Sequence, residues 1–187
     1  MNLDLKSYVK VYPNWIEEDI CKNLIFELEN VKWEKHHFYI YKNSEKESHD
    51  TDFKVSIDSN QLTDLIQKKI WKAIEQYIVK DFCFPWFRGW SGFSPVRYNK
   101  YETGTEMKKH CYHIQSLFEG ERKGIPTLSV LGILNEDYEG GDFIMWGKEK
   151  IELKTGSVVV FPSNFMYPHE VTPITKGTRY SCISWVW

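Results

Sequence analysis

The sequence predicts a mainly β protein with N-terminal helices, an α+β arrangement, and three observations lead there. Apolar residues recur with a helical period up to about residue 80 and with a period of two from about residue 92. The later segments are short and punctuated by Gly, Pro and Asn. No internal repeat, low-complexity tract or linker interrupts the 187 residues. One domain over 1–187 is therefore expected, with 1–90 as a helical support region and 91–187 as most of the β core.

The first helix is expected over 14–30. Asn14 follows Pro13 and can cap, Glu17 three residues on completes a capping-box pattern, and Ile16, Ile20, Leu24, Ile25 and Leu28 form one stripe. A second stripe runs through Leu62, Leu65, Ile66, Ile70, Ala73, Ile74, Tyr77 and Ile78, with Asp58 or Ser59 as its cap. Two such stripes need a surface to cover, and one face of a sheet is the simplest. Strands are expected at 94–101, 106–112, 127–134, 142–146, 150–153, 157–161, 169–172 and 178–187. Turns separate them at 139–141, 155–156, 162–164 and 176–177. So many short strands imply a sandwich or barrel, for which a jelly roll is one standard solution.

Composition narrows the function. Aromatic residues make up 16% of the chain, enough to build a large core. A net charge of -2 gives no electrostatic footprint for nucleic acid or anionic lipid. The one dense polar run, 42–52, mixes both signs and reads as a solvated loop. Cys21, Cys83, Cys111 and Cys182 show no CxxC pairing, which favours reduced thiols and a cytoplasmic setting. The opening residues hold no apolar run of signal-peptide length, and no stretch approaches the ~18 apolar residues of a membrane span.

The chemistry concentrates in the C-terminal half. His110 and Tyr112 lie two apart and so share a strand face, while Cys111 and His113 point away. His169 comes from another strand, and Arg179 follows ten residues later. Histidine, spacer, acid, long gap, histidine and then a basic residue is the order of a non-haem iron site that also holds a dicarboxylate; here Tyr112 stands where the acid is expected. Arg179 alternates onto the face of Ser181, Ile183 and Trp185. A cation there is costly unless it meets an anion, and a forked carboxylate contact suits guanidinium best.

Four stretches carry a resemblance to a family: YETGTEMKKH (101–110), LSVLGILNEDYEGGDF (128–143), GSVVVFPSNFMYPHEV (156–171) and KGTRYSCISW (176–185). The chain resembles the Fe(II)/2-oxoglutarate-dependent oxygenases of the prolyl-4-hydroxylase type, most of all the small members from bacteria and their viruses. The resemblance implies a double-stranded β-helix (jelly-roll) core supported by helices packed on one face. It implies Fe(II), 2-oxoglutarate and O2, with ascorbate as an optional reductant. It makes His110 and His169 iron ligands and Arg179 the partner of the distal carboxylate of 2-oxoglutarate. Tyr101 and Ser129 match co-substrate contacts, and Asn135, Glu139, Gly140 and Gly141 match a structural turn. The expected reaction is hydroxylation of an unactivated C–H in a peptidyl prolyl or other small or peptidyl substrate.

Tyr112 departs from the family aspartate, and four accounts stand side by side. It ligates as a phenolate; the site works with two histidines and a water or anion; the site is an impaired or altered version; or His113 or another acid substitutes. Loop 114–123 is the expected place for a lid, and His36 and His37 are candidates for the pocket mouth. Trp146, Phe161, Phe165 and Tyr167 are the aromatic residues expected to shield the site. Two rival readings are a non-catalytic jelly-roll binding protein derived from such an oxygenase and a cupin-like metalloprotein.

Overall fold

The structure is a computed structural model that describes residues 4–40, 45–47, 49, 51–58, 60–83, 89, 92–112 and 126–186. In chain order the elements are β1 (Lys10–Tyr12), α1 (Glu18–Leu28), β2 (Glu34–Lys35), β3 (Phe38–Ile40), β4 (Glu45–Glu47), β5 (Lys54–Ser56) and α2 (Thr63–Glu75). A π-helical segment (Gln76–Phe82) continues α2. Then come β6 (Arg97–Tyr101), β7 (Met107–His110), β8 (Leu128–Ile133), β9 (Glu139–Gly140), β10 (Phe143–Met145) and β11 (Glu149–Lys150). The last four are β12 (Val158–Pro162), β13 (His169–Val171), β14 (Ile174–Lys176) and β15 (Arg179–Val186).

Seven strands form an antiparallel sheet in the order β1-β12-β8-β15-β6-β5-β2. Four more pair as β11-β10-β13-β7. The period-two pattern divides the large sheet cleanly. Val130, Val158, Val160, Cys182 and Val186 pack with Leu24, Leu28, Ile66, Ile70 and Ile74 of the helices. The alternate residues Leu131, Ile133, Val159, Phe161 and Ile183 pack instead with Met107, Phe143, Met145 and Val171 of the smaller sheet. All six residues of β8 are buried, because both faces of that strand are covered. Each fully buried aliphatic side chain contributes about 1.5–3 kcal/mol through removal from water.

Seven of the eight expected strands are present with shifted or trimmed ends; the one expected at 150–153 forms instead at Glu149–Lys150, and β9 and β14 pair where no strand was expected. The N-terminal region differs more. It is not helical alone: β1, β2 and β5 extend the large sheet at its two edges. Residues 38–40 pair with 45–47, which places a strand inside the 42–52 run expected as a loop, and the rest of that run falls largely outside the described residues.

The first helix begins at Glu18 rather than near Asn14, and the capping box does not form. Asn14 takes φ 52, and the N–H groups of Trp15 and Ile16 both donate to the Gly156 carbonyl (2.8 and 2.9 Å). That tie to the β12 approach holds the backbone outside helical geometry, and Glu17 pairs with Lys69 instead. The second helix starts at Thr63, not after Asp58. Asp58 accepts from the Lys32 N–H, while the Asn60 side chain accepts from the Leu62 N–H. Ser59 lies outside the described residues. Among the described residues no helix is long and apolar enough to cross a membrane, and all four cysteines are free.

Candidate metal centre

Strands β7 and β13 are neighbours in the smaller sheet, and their register sets His110 directly opposite His169. The two imidazole centroids are 4.3 Å apart. Each ring is anchored through Nδ1: His110 to the Lys108 carbonyl (2.9 Å) and His169 to the Tyr167 carbonyl (3.0 Å). With Nδ1–H donated, the Nε2 lone pair is the one available to a metal, the second-shell arrangement that fixes a ligating imidazole. His169 Nε2 is buried and has no hydrogen-bond partner. Burial, followed by the neighbouring His110, pushes the His169 imidazole down to about 3, so it stays neutral and able to ligate.

Tyr112 lies just beyond β7, and its ring meets both imidazoles, at 5.0 Å from His110 and 4.8 Å from His169. The phenol is held well above its usual range by burial, with Arg97 opposing the shift. Among the described residues no group of three His, Cys, Asp or Glu side chains converges to hold a metal. The residues present therefore fit an ion bound by two imidazoles, with a phenol rather than a carboxylate in the third direction. His113 and residues 114–123 lie outside the described residues.

Arg179 is 1% exposed and is one of the largest fully buried side chains. Its guanidinium lies 5.1 Å over the Tyr101 ring, its Nη1 donates to Ser181 Oγ (3.2 Å), and its Nε has no partner. No carboxylate among the described residues pairs with it. A buried guanidinium without a counter-ion is what a site for a ligand carboxylate requires. Tyr101 stacks on Phe53 (4.3 Å), and Phe53 stacks on His36 (4.5 Å), so an aromatic column supports the cation. His36 thus belongs to the inner wall, whereas His37 is exposed.

Ser129 is fully buried on the inner face of β8, between Phe161 and Trp185 in register, and its Oγ is shared with Ser163 Oγ (2.8 Å). Asn135 and Gly141 hold a structural turn, as expected, while Glu139 and Gly140 within it form β9, paired with β14. Asn135 Oδ1 accepts from the Tyr180 N–H (2.7 Å) and Nδ2 donates to the Thr178 carbonyl (2.7 Å). Gly140 and Gly141 have φ 77 and 66, and a Cβ on Gly140 would stand 2.2 Å from the Pro173 carbonyl oxygen. Among the expected shielding residues, Phe161 lies 5.1 Å from His169, but Phe165 is 79% exposed and shields nothing. Phe143 (5.5 Å from His169) and Trp185 (5.3 Å from Tyr112) take that position.

Sequence reasoning missed Arg97. It lies on the inner face of β6, its guanidinium 4.8 Å over the Trp185 indole. The alternation that placed Arg179 inside would have placed it too, since Arg97, Asn99 and Tyr101 are two apart on one strand.

Fold and site together fit a mononuclear non-haem metalloprotein. Residues 96–187 match the model of the 2OG-Fe(II) oxygenase superfamily. It is 34% identical over 101 residues to a PKHD-type hydroxylase of Shewanella oneidensis, covering 50% of this chain and 43% of that protein. It is 30% identical over 134 residues to a PKHD-type hydroxylase of Acinetobacter baumannii, covering 68% of this chain and 55% of that protein. The chain thus spans about half the length of the curated relatives it matches. Among solved structures it is similar to a Pseudomonas putida prolyl-4-hydroxylase, with TM-score 0.67, 18% identity and coverage of 96% and 91% of the two chains. It is also similar in fold to a Trichoplax adhaerens prolyl hydroxylase solved with a hypoxia inducible factor peptide fragment, with TM-score 0.70, 15% identity and coverage of 97% and 84%.

Proposed function

We propose that this protein is an Fe(II)- and 2-oxoglutarate-dependent dioxygenase that hydroxylates an unactivated C–H of a small or peptidyl substrate. The observation that carries the reading is the cross-strand pair His110–His169, with the uncompensated Arg179 on the large sheet of the same core. The family-model match over residues 96–187 supports it, and the fold likeness to prolyl hydroxylases supports a jelly-roll core over a single domain. The Trichoplax neighbour's peptide makes a peptidyl prolyl group the first substrate to try.

Bound Fe(II), with 2-oxoglutarate and O2, supplies oxidative hydroxylation of a C–H bond while the co-substrate is converted to succinate and CO2. The chain's own residues do the rest. His110 and His169 hold the ion through Nε2, each imidazole locked by its Nδ1 contact. Tyr112 occupies the third protein direction. Arg179 takes the distal carboxylate of 2-oxoglutarate, with Tyr101 beneath it and Ser181 fixing Nη1. Phe143, Phe161 and Trp185 exclude water from the reacting centre. Ser129, tied to Ser163, shapes the wall beside them rather than reaching the co-substrate with a free hydroxyl.

The test is anaerobic addition of Fe(II) and 2-oxoglutarate, watching for the visible charge-transfer band of a chelated keto acid, followed by oxygen and assay of succinate. Band and succinate together are expected; absence of both refutes the reading. A band without succinate identifies a centre impaired by Tyr112 at the third ligand direction. The companion variant Tyr112→Asp is expected to raise iron affinity by about tenfold or more and to increase succinate release. Unchanged or weaker metal binding in that variant would show that Tyr112 does not stand at the third ligand direction.

A further inference from the structure

The inner face of β6 and β15 carries two guanidiniums, and the proposed function uses only one. In register, Arg179 faces Tyr101, Ser181 faces Asn99 and Ile183 faces Arg97. A hydrogen-bonded ladder joins the two cations: Arg97 Nε donates to Asn99 Oδ1 (3.1 Å), Asn99 Nδ2 donates to Ser181 Oγ (3.4 Å), and Arg179 Nη1 donates to the same Oγ (3.2 Å). The two cations therefore stand at opposite ends of one polar strip, four residues apart along β6 and β15.

Arg97 stands at the metal end. Its guanidinium lies over the Trp185 ring, and that indole meets Tyr112 nearly at right angles (5.3 Å between centroids), while the Tyr112 ring packs against both imidazoles. No acidic side chain among the described residues forms an ion pair with Arg97, and Asn99 is its one side-chain hydrogen-bond partner. A half-buried guanidinium facing an aromatic wall, with its remaining N–H donors unclaimed, is poorly compensated by a neutral amide alone. A purely structural role would need only the indole contact, for which an apolar side chain would serve as well.

We infer that Arg97 is a specificity-determining residue that receives a carboxylate of the substrate, so the site takes an anionic substrate beside 2-oxoglutarate. This rests on the proposed function, with Arg179 committed to the co-substrate and Arg97 left to a second anion. The carboxylate can come from a free acid or chain terminus, or from an acidic side chain; the chemistry at Arg97 is the same.

The test uses wild-type protein loaded with Mn(II) and 2-oxoglutarate. Calorimetry compares a set of N-acetyl amino acids with their primary amides, and includes the α-amides of N-acetylaspartate and N-acetylglutamate, which keep only the side-chain carboxylate. At least one acid is expected to bind about tenfold or more tightly than its neutral counterpart. That ratio should fall to about one in Arg97→Gln, survive in part in Arg97→Lys, and leave 2-oxoglutarate affinity within about twofold. Preference confined to the side-chain acids assigns an acidic side chain as the ligand; preference for the α-acids assigns a free acid or terminus. The inference is overturned if no acid outbinds its amide in the wild type, or if the preference persists in Arg97→Gln. If Arg97→Gln does not fold, the wild-type ratios and Arg97→Lys decide alone. Failure of 2-oxoglutarate itself to bind the wild type would instead refute the proposed function.

Discussion

The two faces of the large sheet are built from the same strands and obey different rules. The helix-covered face is mainly apolar, with Val130, Val158, Val160, Cys182 and Val186 meeting the α1 and α2 stripes and its buried Ser184 satisfied by Ser94. The inner face sets Arg97, Asn99, Ser129, Arg179 and Ser181 among its apolar residues. The first face is free to be any well-packed surface, and its residues report on stability. The second gives up packing for a strip of hydrogen-bonded polar residues whose two cations meet no carboxylate among the described residues. One alternating strand such as β15 thus serves both purposes, with Cys182 on one side and Ser181 on the other.

This contrast breaks if stability and ligand binding fail to separate between the faces. The largest stability effect is expected on the helix side, where Leu24→Ala should cost about 2–5 kcal/mol by leaving a cavity among fully buried neighbours. Urea unfolding should show it, with 2-oxoglutarate affinity of the folded fraction unchanged. On the inner side, Arg179→Gln should weaken 2-oxoglutarate binding by about 30-fold or more, as loss of one partner of a buried charge pair does. Its unfolding free energy should stay level or rise, because the metal-free protein then no longer buries an unpaired cation. Thermal melts with and without 2-oxoglutarate measure both quantities. At the turn that closes the strip, Asn135→Ala should cost about 1–3 kcal/mol by orphaning the Tyr180 N–H and the Thr178 carbonyl.

The effect that is smallest at neutral pH concerns acid. His36 is pushed down to about 3 by burial, then by Arg97 and His110, so the folded protein keeps it neutral. The unfolded chain takes up that proton near pH 6.5. Its contribution is therefore fully present above about pH 6.5 and is lost as pH falls toward 3, at up to about 1.4 kcal/mol per pH unit. In His36→Phe the acid limb of the stability curve of the metal-free protein should flatten by that slope. An unchanged limb would mean that His36 is solvated in the folded state.

Much of the C-terminal half was legible because alternation is a strong signal where both faces of a strand are covered. Ser129, Arg179 and the two histidines fell where period two put them. The N-terminal part was less legible for physical reasons. Strands of two or three residues such as β2 and β5 carry too few positions to show a period, and their pairing with β6 is a long-range choice. The start of α1 was misplaced because the Gly156 carbonyl, far away in sequence, competes for the N–H groups of Trp15 and Ile16. Tyr112 was read as a strand residue sharing the face of His110. The ladder ends at His110, and the ring reaches the imidazoles from beyond it. Arg97 obeys the same alternation but stands at no diagnostic spacing from a histidine, the signal that marks Arg179.

The central claim is that His110 and His169 serve one ion. Titration of Co(II) into the metal-free protein, read by its visible spectrum and by calorimetric stoichiometry, tests it most directly. One ion per chain is expected, with binding lost by about 100-fold or more in His110→Ala and in His169→Ala separately. Wild-type binding in either variant, or two independent ions per chain, would contradict it.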